Sequence, residues 1–415
     1  MQHDSPLRNR HQAWLNAETD RIEAQVNSAD RPGAATADRQ GGLALEYLPY
    51  GPGDESGAPT CEIVSSFGTV ESEYASIRRG VGLLDAPHRT IIELRGSERL
   101  SFLDSMITQA VGTLAPGSVR RSFWLDRKGR IVSDLVVANL EDRCLLELDV
   151  HAAARTLETL DNYLFAEDAT LEWSPDATAQ LRLHGSAALA ALSAVLDSGD
   201  TPGTDAITEG QLAGCPVTLL RCDETGEPGV AVIVSRADAE AVWDALLAWT
   251  GTSGTRLRPI GWSAFNTARI EAGVPLFNVD FGSDAIPQET GVLEDRVSFN
   301  KGCYLGQEIV ARIHSLGNPK QRLVALDLKT EGLPVAGSQI FTRVETQDGS
   351  IGFGPQVGWV TSSTLSPMLG ARPIALAMIR FEPSQPDTQV LLTAEGEPLD
   401  ATVRGQLSFL PGAES

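Results

Sequence analysis

The chain has 415 residues, more than one small core accommodates, so two or three packed units are predicted. Apolar residues make up 42% and charged residues 21%, ordinary globular usage that excludes broad disorder, and no stretch approaches the roughly 20 uninterrupted apolar residues of a bilayer span. The 33 basic and 55 acidic side chains leave a formal charge of -22, which repels phosphate backbones and excludes general nucleic-acid binding.

Residues 1–42 are polar and end in Pro32, Gly33, Gly41 and Gly42. The spacing around Trp14 supports a short helix there, but the segment is expected to lie outside the fold as an extension. It contains Asp4, Glu18, Asp20 and Glu23 and lacks the apolar run of a signal peptide. With five cysteines, an odd number, and no CxxC pair, a cytoplasmic protein is expected. The scattered histidines offer no local template for a metal or cluster.

An apolar strand is predicted over 90–94, followed by an amphipathic helix opened by Ser97, with Leu100, Leu103 and Ile107 on one face. Two strands, 130–140 and 144–150, form a hairpin turning at Glu141 and Asp142. A helix with Leu157, Leu160, Tyr163 and Leu164 on one face closes an α+β unit. Residues 179–250 repeat that order of elements, with a strand over 180–184, an Ala/Leu helix, strands over 216–221 and 230–235, then a helix carrying Val242, Leu246 and Trp249. Ser235 and Asp238 resemble a capping box before that helix, and Gly251 suits its exit. A further helix spans 262–272 and stops at Gly273, and 274–300 reads as a long loop. Beyond Pro319, short alternating runs at 322–328, 356–361 and 374–381 predict a small β-barrel. The organisation expected is therefore an extension over 1–42, two intertwined α+β units over 43–319, and a barrel over 320–415.

The sharpest local feature is Asn300-Lys301-Gly302-Cys303-Tyr304-Leu305-Gly306-Gln307-Glu308. A lysine and a following helix N-terminus both favour thiolate, and flanking glycines let a partner approach, so Cys303 reads as a reactive thiol beside Lys301. A small buried cysteine filling a turn is the alternative. In the predicted strand, alternation puts Val132, Asp134, Val136 and Ala138 on one face, apolar except for the carboxylate. Such an acid must be paired, neutral or facing a cavity. An arginine such as Arg120 or Arg130 and an N–H-rich ligand are equally good partners on this reading.

The stretch 301–308 resembles the signature of the YgfZ-like branch of the GcvT superfamily, with every defined position present. The resemblance extends through Ala268-Arg269-Ile270-Glu271-Ala272-Gly273, Ile286-Pro287-Gln288-Glu289 and Val297-Ser298-Phe299, and downstream through Val310-Ala311-Arg312. It implies a three-domain cloverleaf around a central folate cleft with a C-terminal small β-barrel. The superfamily's Gly-x-x-x-Asp-Asp-Leu-like strand is similar to Gly129–Leu135, which carries Asp134 over as a folate contact, with Ser133 in place of the first acid. The same resemblance places Arg269, Glu271, Tyr304, Gln307 and Glu308 near tetrahydrofolate or a one-carbon derivative, and Cys303 with Lys301 at the reactive position.

The resemblance further implies a folate-binding accessory protein for assembly or repair of iron–sulfur client enzymes, tRNA-modifying ones included. The alternative is a folate-dependent one-carbon transferase or demethylase, and whether there is turnover stays open. Two departures from glycine-cleavage aminomethyltransferases favour the first reading. The cysteine signature is complete here, and the Gly-Tyr-Thr-Gly-Glu segment whose glutamate holds the pterin is not evident in 226–234.

Overall fold

The computed structural model describes residues 3–28, 44–251, 254–329, 332–345 and 349–411. Helix α1 (Arg8–Ser28) is followed by a strand pair, β1 (Glu46–Pro49) and β2 (Glu62–Ser66), then α2 (Val70–Arg79) and β3 (Val81–Asp85). The first α+β unit contains β4 (Arg89–Arg95), α3 (Arg99–Met106), β5 (Val119–Leu125), β6 (Ile131–Asn139), β7 (Arg143–Asp149), α4 (Val150–Asp161) and β8 (Thr170–Glu172). The second contains β9 (Thr178–His184), α5 (Ala188–Val195), β10 (Leu196–Ser198), β11 (Ile207–Leu212), β12 (Cys215–Arg221), β13 (Gly229–Ser235), α6 (Ala239–Leu247) and β14 (Leu257–Ile260). Helices α7 (Trp262–Ala272), α8 (Leu293–Arg296) and α9 (Gln307–Leu316) lead to the barrel strands. These are β15 (Gln321–Leu328), β16 (Gln339–Glu345), β17 (Ile351–Ser366), β18 (Arg372–Arg380), β19 (Gln389–Ala394) and β20 (Glu397–Val403).

The first unit's sheet runs β5-β6-β7-β4-β8, and the second runs β10-β11-β12-β13-β9-β3-β14. Strand β3 precedes the first unit in sequence yet pairs antiparallel with β9 and parallel with β14, so the two units interleave. They meet through a shared apolar layer containing Ile91, Val119, Leu145, Leu220, Ala231 and Ile233, drawn from both sheets. The β6 hairpin forms where the alternating apolar run predicts it, and β13 is buried at six of its seven positions. Apolar patterning does not predict β5 or β11. Both mix exposed or half-buried polar positions with buried ones and carry no clean alternation.

Six strands close the barrel in the order β15-β18-β17-β16-β19-β20, which removes free sheet edges. Its own core includes Val324, Leu326, Val360, Ala377 and Leu392, while Leu323, Ala325, Leu376 and Met378 pack on the large core of the first unit. Helix α7 spans the predicted residues and ends at Gly273, whose φ is +72°. A Cβ at Gly273 would lie 2.3 Å from the backbone nitrogen of Ser408, so the chain can turn here only without a side chain. By contrast, α6 ends at Leu247, before Gly251.

The N-terminal segment corrects its reading as an outside extension, as far as Ser28. Leu7, His11 and Leu15 are buried, and Trp14 packs at the margin of the second unit's core. Their spacing of four, three and one places them on one helical face, a stripe that the polar average of the segment conceals. The linker that carries Pro32, Gly33, Gly41 and Gly42 lies outside the described residues.

Candidate functional site

Where the two sheets diverge, a cleft encloses about 720 Å³ of atom-free space, part of it open to solvent. Its walls combine Asp134 and Val136 of β6, Arg89 of β4, Glu224 of the β12–β13 turn, Phe277 of the loop after α7, and Arg296 of α8. Asp134 and Val136 are the half-buried positions of β6, the ones the strand turns toward the opening. Asp134 accepts a 2.9 Å hydrogen bond from Arg296 Nε on Oδ1. Neither of the arginines considered from sequence is its partner: Arg130 pairs with Asp284, and Arg120 donates to the Val119 carbonyl. Oδ2 of Asp134 has no partner among the described residues and remains available to a donor.

Below the cleft, charged side chains bridge the two units. Arg89 grips Glu147 through two 2.6 Å hydrogen bonds, and Arg182 joins Glu147 to Glu224, the latter at 2.7 Å. Burial alone would raise the Glu224 pKa, but the charge and hydrogen bond of Arg182, together with His184 and Arg89 beside it, outweigh burial and hold this carboxyl at about 2. His184, fully buried beside them, is pushed down to about 4 by the same burial and is therefore neutral at pH 7. The Arg89, Glu147, Arg182 and Glu224 chain gives the cleft a preset floor of fixed dipoles.

The sequence-predicted residues divide into three places. Asp134 lies in the cleft. Arg269 and Glu271 do not line it; they are almost fully buried on α7 and tie that helix to the barrel. Arg269 pairs with Asp280 at 2.5 Å and donates to Ser362 Oγ at 2.6 Å, and Asp280 also accepts from Thr361 and Ser362. Glu271 accepts from Arg78 and from the Tyr74 hydroxyl, both at 2.6 Å, and from Ser366 Oγ.

The Cys303 loop is the third place, and none of residues 301–308 lines the cleft. Cys303 is exposed, but the Lys301 ammonium is spent elsewhere: it donates to the carbonyls of Ile107 and Gln109 at 3.0 and 2.8 Å, with Asp104 3.4 Å away. Tyr304 is buried beneath Lys301, and its pKa is pushed up to about 12 by that burial. Gln307 is half-buried and Glu308 exposed on the first turn of α9. A Cβ on Gly306 would come within 2.7 Å of the Asp126 carbonyl, so the loop is pressed against the β5–β6 turn. His314 stacks on Phe299 at 3.9 Å.

Sequence reasoning missed Arg89, Arg121, Glu224, Phe277 and Arg296. Arg296 directly precedes the Val297-Ser298-Phe299 landmark, and the β12–β13 turn reads Glu224-Thr225-Gly226-Glu227. Thr-Gly-Glu of the pterin segment is thus present at 225–227, beginning one residue upstream of the 226–234 stretch in which that segment is not evident. Glu227 lies 3.6 Å from Arg78, which also donates to the Thr225 carbonyl at 2.7 Å.

Two interleaved α+β units, a closed barrel and a cleft lined by both charged and apolar side chains define a multidomain α+β protein with a ligand-sized opening between its units. The GCVT N-terminal domain model matches residues 46–301, and the glycine cleavage T-protein C-terminal barrel domain model matches 321–409. The chain belongs to this GcvT family. It is 28% identical over 347 residues to the aminomethyltransferase of Geobacillus sp. (strain WCH70), covering 82% of this chain and 91% of that protein. It is likewise 28% identical over 333 residues to the aminomethyltransferase of Bacillus subtilis (strain 168), covering 79% and 88%. Among solved structures, the glycine cleavage system aminomethyltransferase T from Bartonella henselae has the same fold, with a TM-score of 0.71 at 23% identity over 89% of this chain and 95% of that one.

These relatives overturn the iron–sulfur reading, with its client enzymes and its tRNA-modifying link, and the YgfZ-like assignment that carried it. They favour the transferase alternative. A short motif around one exposed thiol carries less weight than the architecture of the rest of the chain, and the pterin-segment departure is smaller than it reads, since Thr225-Gly226-Glu227 is present although Gly-Tyr before it is not. Among the described residues, no helix is long and apolar enough to cross a membrane.

Proposed function

We propose that the chain is a tetrahydrofolate-dependent aminomethyltransferase, which moves the one-carbon unit of an aminomethyl donor to folate while the amino group leaves as ammonia and the rest of the donor leaves protonated, the two protons coming from the folate nitrogens. The observation that carries this reading is Asp134: an acid held by Arg296 on one oxygen, with the other oxygen free, in the cleft between the two units. The fit of a reduced pterin is chemical. Its N–H edge calls for acceptors, which Asp134 and Glu224 supply, and its ring faces call for apolar walls, which Val136, Phe277 and Val292 supply. Arg89 and Arg121 offer cationic partners for the carboxylates of a folate tail.

When bound, tetrahydrofolate supplies the nucleophilic nitrogen that accepts the one-carbon unit. Arg296 orients Asp134 through Oδ1, so Oδ2 can accept an N–H hydrogen bond. The buried Arg182 and Glu147 hold Glu224 and Arg89 in place without reorganisation. Arg269 and Glu271 are positioning residues that fix the barrel and the loop bearing Phe277. Cys303 and Lys301 have no part in the transfer on this reading.

The test is anaerobic calorimetric titration of tetrahydrofolate, followed by a single-turnover assay with an aminomethyl donor. Saturable binding and formation of methylene-tetrahydrofolate are expected. Absence of saturable folate binding by folded protein would remove the proposal.

A further inference from the structure

On another face of the molecule, α1, the C-terminal end of α2 and the segment leading into β14 enclose a groove of about 1260 Å³ of atom-free space, open on one side. Arg21, Arg79, Arg256 and Arg258 line it, and Glu18 is the one acidic side chain among its lining residues. That concentration runs against the chain's net charge of -22. Glu18 is already committed: it accepts from Arg21 at 2.8 Å and from Arg258 at 3.0 Å. The Arg258 guanidinium also lies over the Trp14 ring at 5.5 Å, which fixes its position.

Arg79 and Arg256 make no hydrogen bond or close ion pair through their side chains among the described residues, although Arg256 lies near enough to Glu18 to help hold its pKa down. The end of α2 accounts for a cation at Arg79, in the last turn of that helix. It does not account for Arg256, which lies outside any helix at the same groove. Clustered guanidinium groups repel one another unless an anion is held between them.

We propose that this groove is a binding site for a small polyanion, a molecule carrying two or more phosphate or carboxylate groups. Arg258 and Arg21, preset by Glu18 and Trp14, form one wall, and the unpaired guanidiniums of Arg79 and Arg256 supply the fork-shaped donors that such groups take bidentately. Ser72 and Ser76 line the same groove. The site is separate from the folate cleft, because the two share no lining residue.

The experiment is calorimetric titration of the full chain with pyrophosphate and, separately, with citrate, at low ionic strength, on wild type and on an Arg79→Ser/Arg256→Ser double variant. Both replaced side chains are exposed and unpaired, so the variant should fold, which circular dichroism checks. Saturable binding to wild type is expected, weakened at least about tenfold in the double variant as two charge-assisted contacts are lost. Tighter pyrophosphate than citrate assigns the site to phosphates, and the reverse assigns it to carboxylates. No saturable binding of either probe, or equal affinity in the double variant, overturns the proposal. A single Arg256→Glu variant gives an independent check, since it should abolish binding while leaving folate titration unchanged.

Discussion

Replacing Asp134 with asparagine isolates the charge at the centre of the cleft. The change keeps the side chain's size, and an asparagine Oδ1 can still accept from Arg296 Nε, now held 2.9 Å from the carboxylate. Arg296 also retains its bond to Asp295, so no guanidinium is stranded and stability should change by less than about 1 kcal/mol. The loss falls on the free Oδ2, which becomes an N–H facing the donor edge of a pterin. A charge-assisted hydrogen bond contributes roughly 1.5–3 kcal/mol, and here it is replaced by two opposed donors. The expected result is tetrahydrofolate binding weaker by about 10- to 150-fold, the equivalent of that range at room temperature. Calorimetric titration under anaerobic conditions reads the affinity, and thermal unfolding of the same samples checks the fold. A dissociation constant within about twofold of wild type, in a variant with unchanged Tm, would refute the placement of folate against Asp134.

Other outcomes follow from the same geometry. Arg269→Met should cost about 3–5 kcal/mol, because it leaves Asp280 buried with no ionic partner, and urea unfolding measures this. Folate affinity per folded molecule should stay near wild type, since Arg269 does not line the cleft. Asp85, enclosed near His11, has its pKa pushed up from 3.8 to about 7 by burial. The unfolded chain ionises first, so this group's cost to stability grows as pH rises from about 4 to 7 and is constant above. Asp85→Asn should therefore raise Tm relative to wild type more at pH 8 than at pH 4, and an equal shift at both would count against the assignment. Brief native alkylation followed by mass spectrometry should label Cys303 well before the buried Cys61, Cys144 and Cys222, and Cys303→Ser should leave the one-carbon transfer rate within about twofold.

Much of the fold was legible because it is written in local periodicity. Helix 262–272, the β6–β7 hairpin and the barrel strands β15, β17 and β18 carry apolar spacing that can be read locally, and Gly273 marks its helix end by needing a positive φ. Asp134 was legible as a site candidate for the same reason: a single carboxylate on an apolar strand face demands a partner or a cavity.

What the sequence could not decide was which distant group answers each local demand. Asp134 finds Arg296, 162 residues away, and not a neighbouring arginine. Arg269 and Glu271 sit in a family-like stretch but turn their charges inward, to Asp280 and Arg78, where they hold the barrel to α7. Lys301 lies two residues from Cys303, yet its ammonium is drawn to the carbonyls of Ile107 and Gln109. Strand β3 leaves its sequence neighbours to pair in the second unit's sheet. Hydrophobic spacing is a property of one segment and can be read from it, whereas the partner of a charge and the neighbour of a strand are chosen only when separate segments compete for the same space.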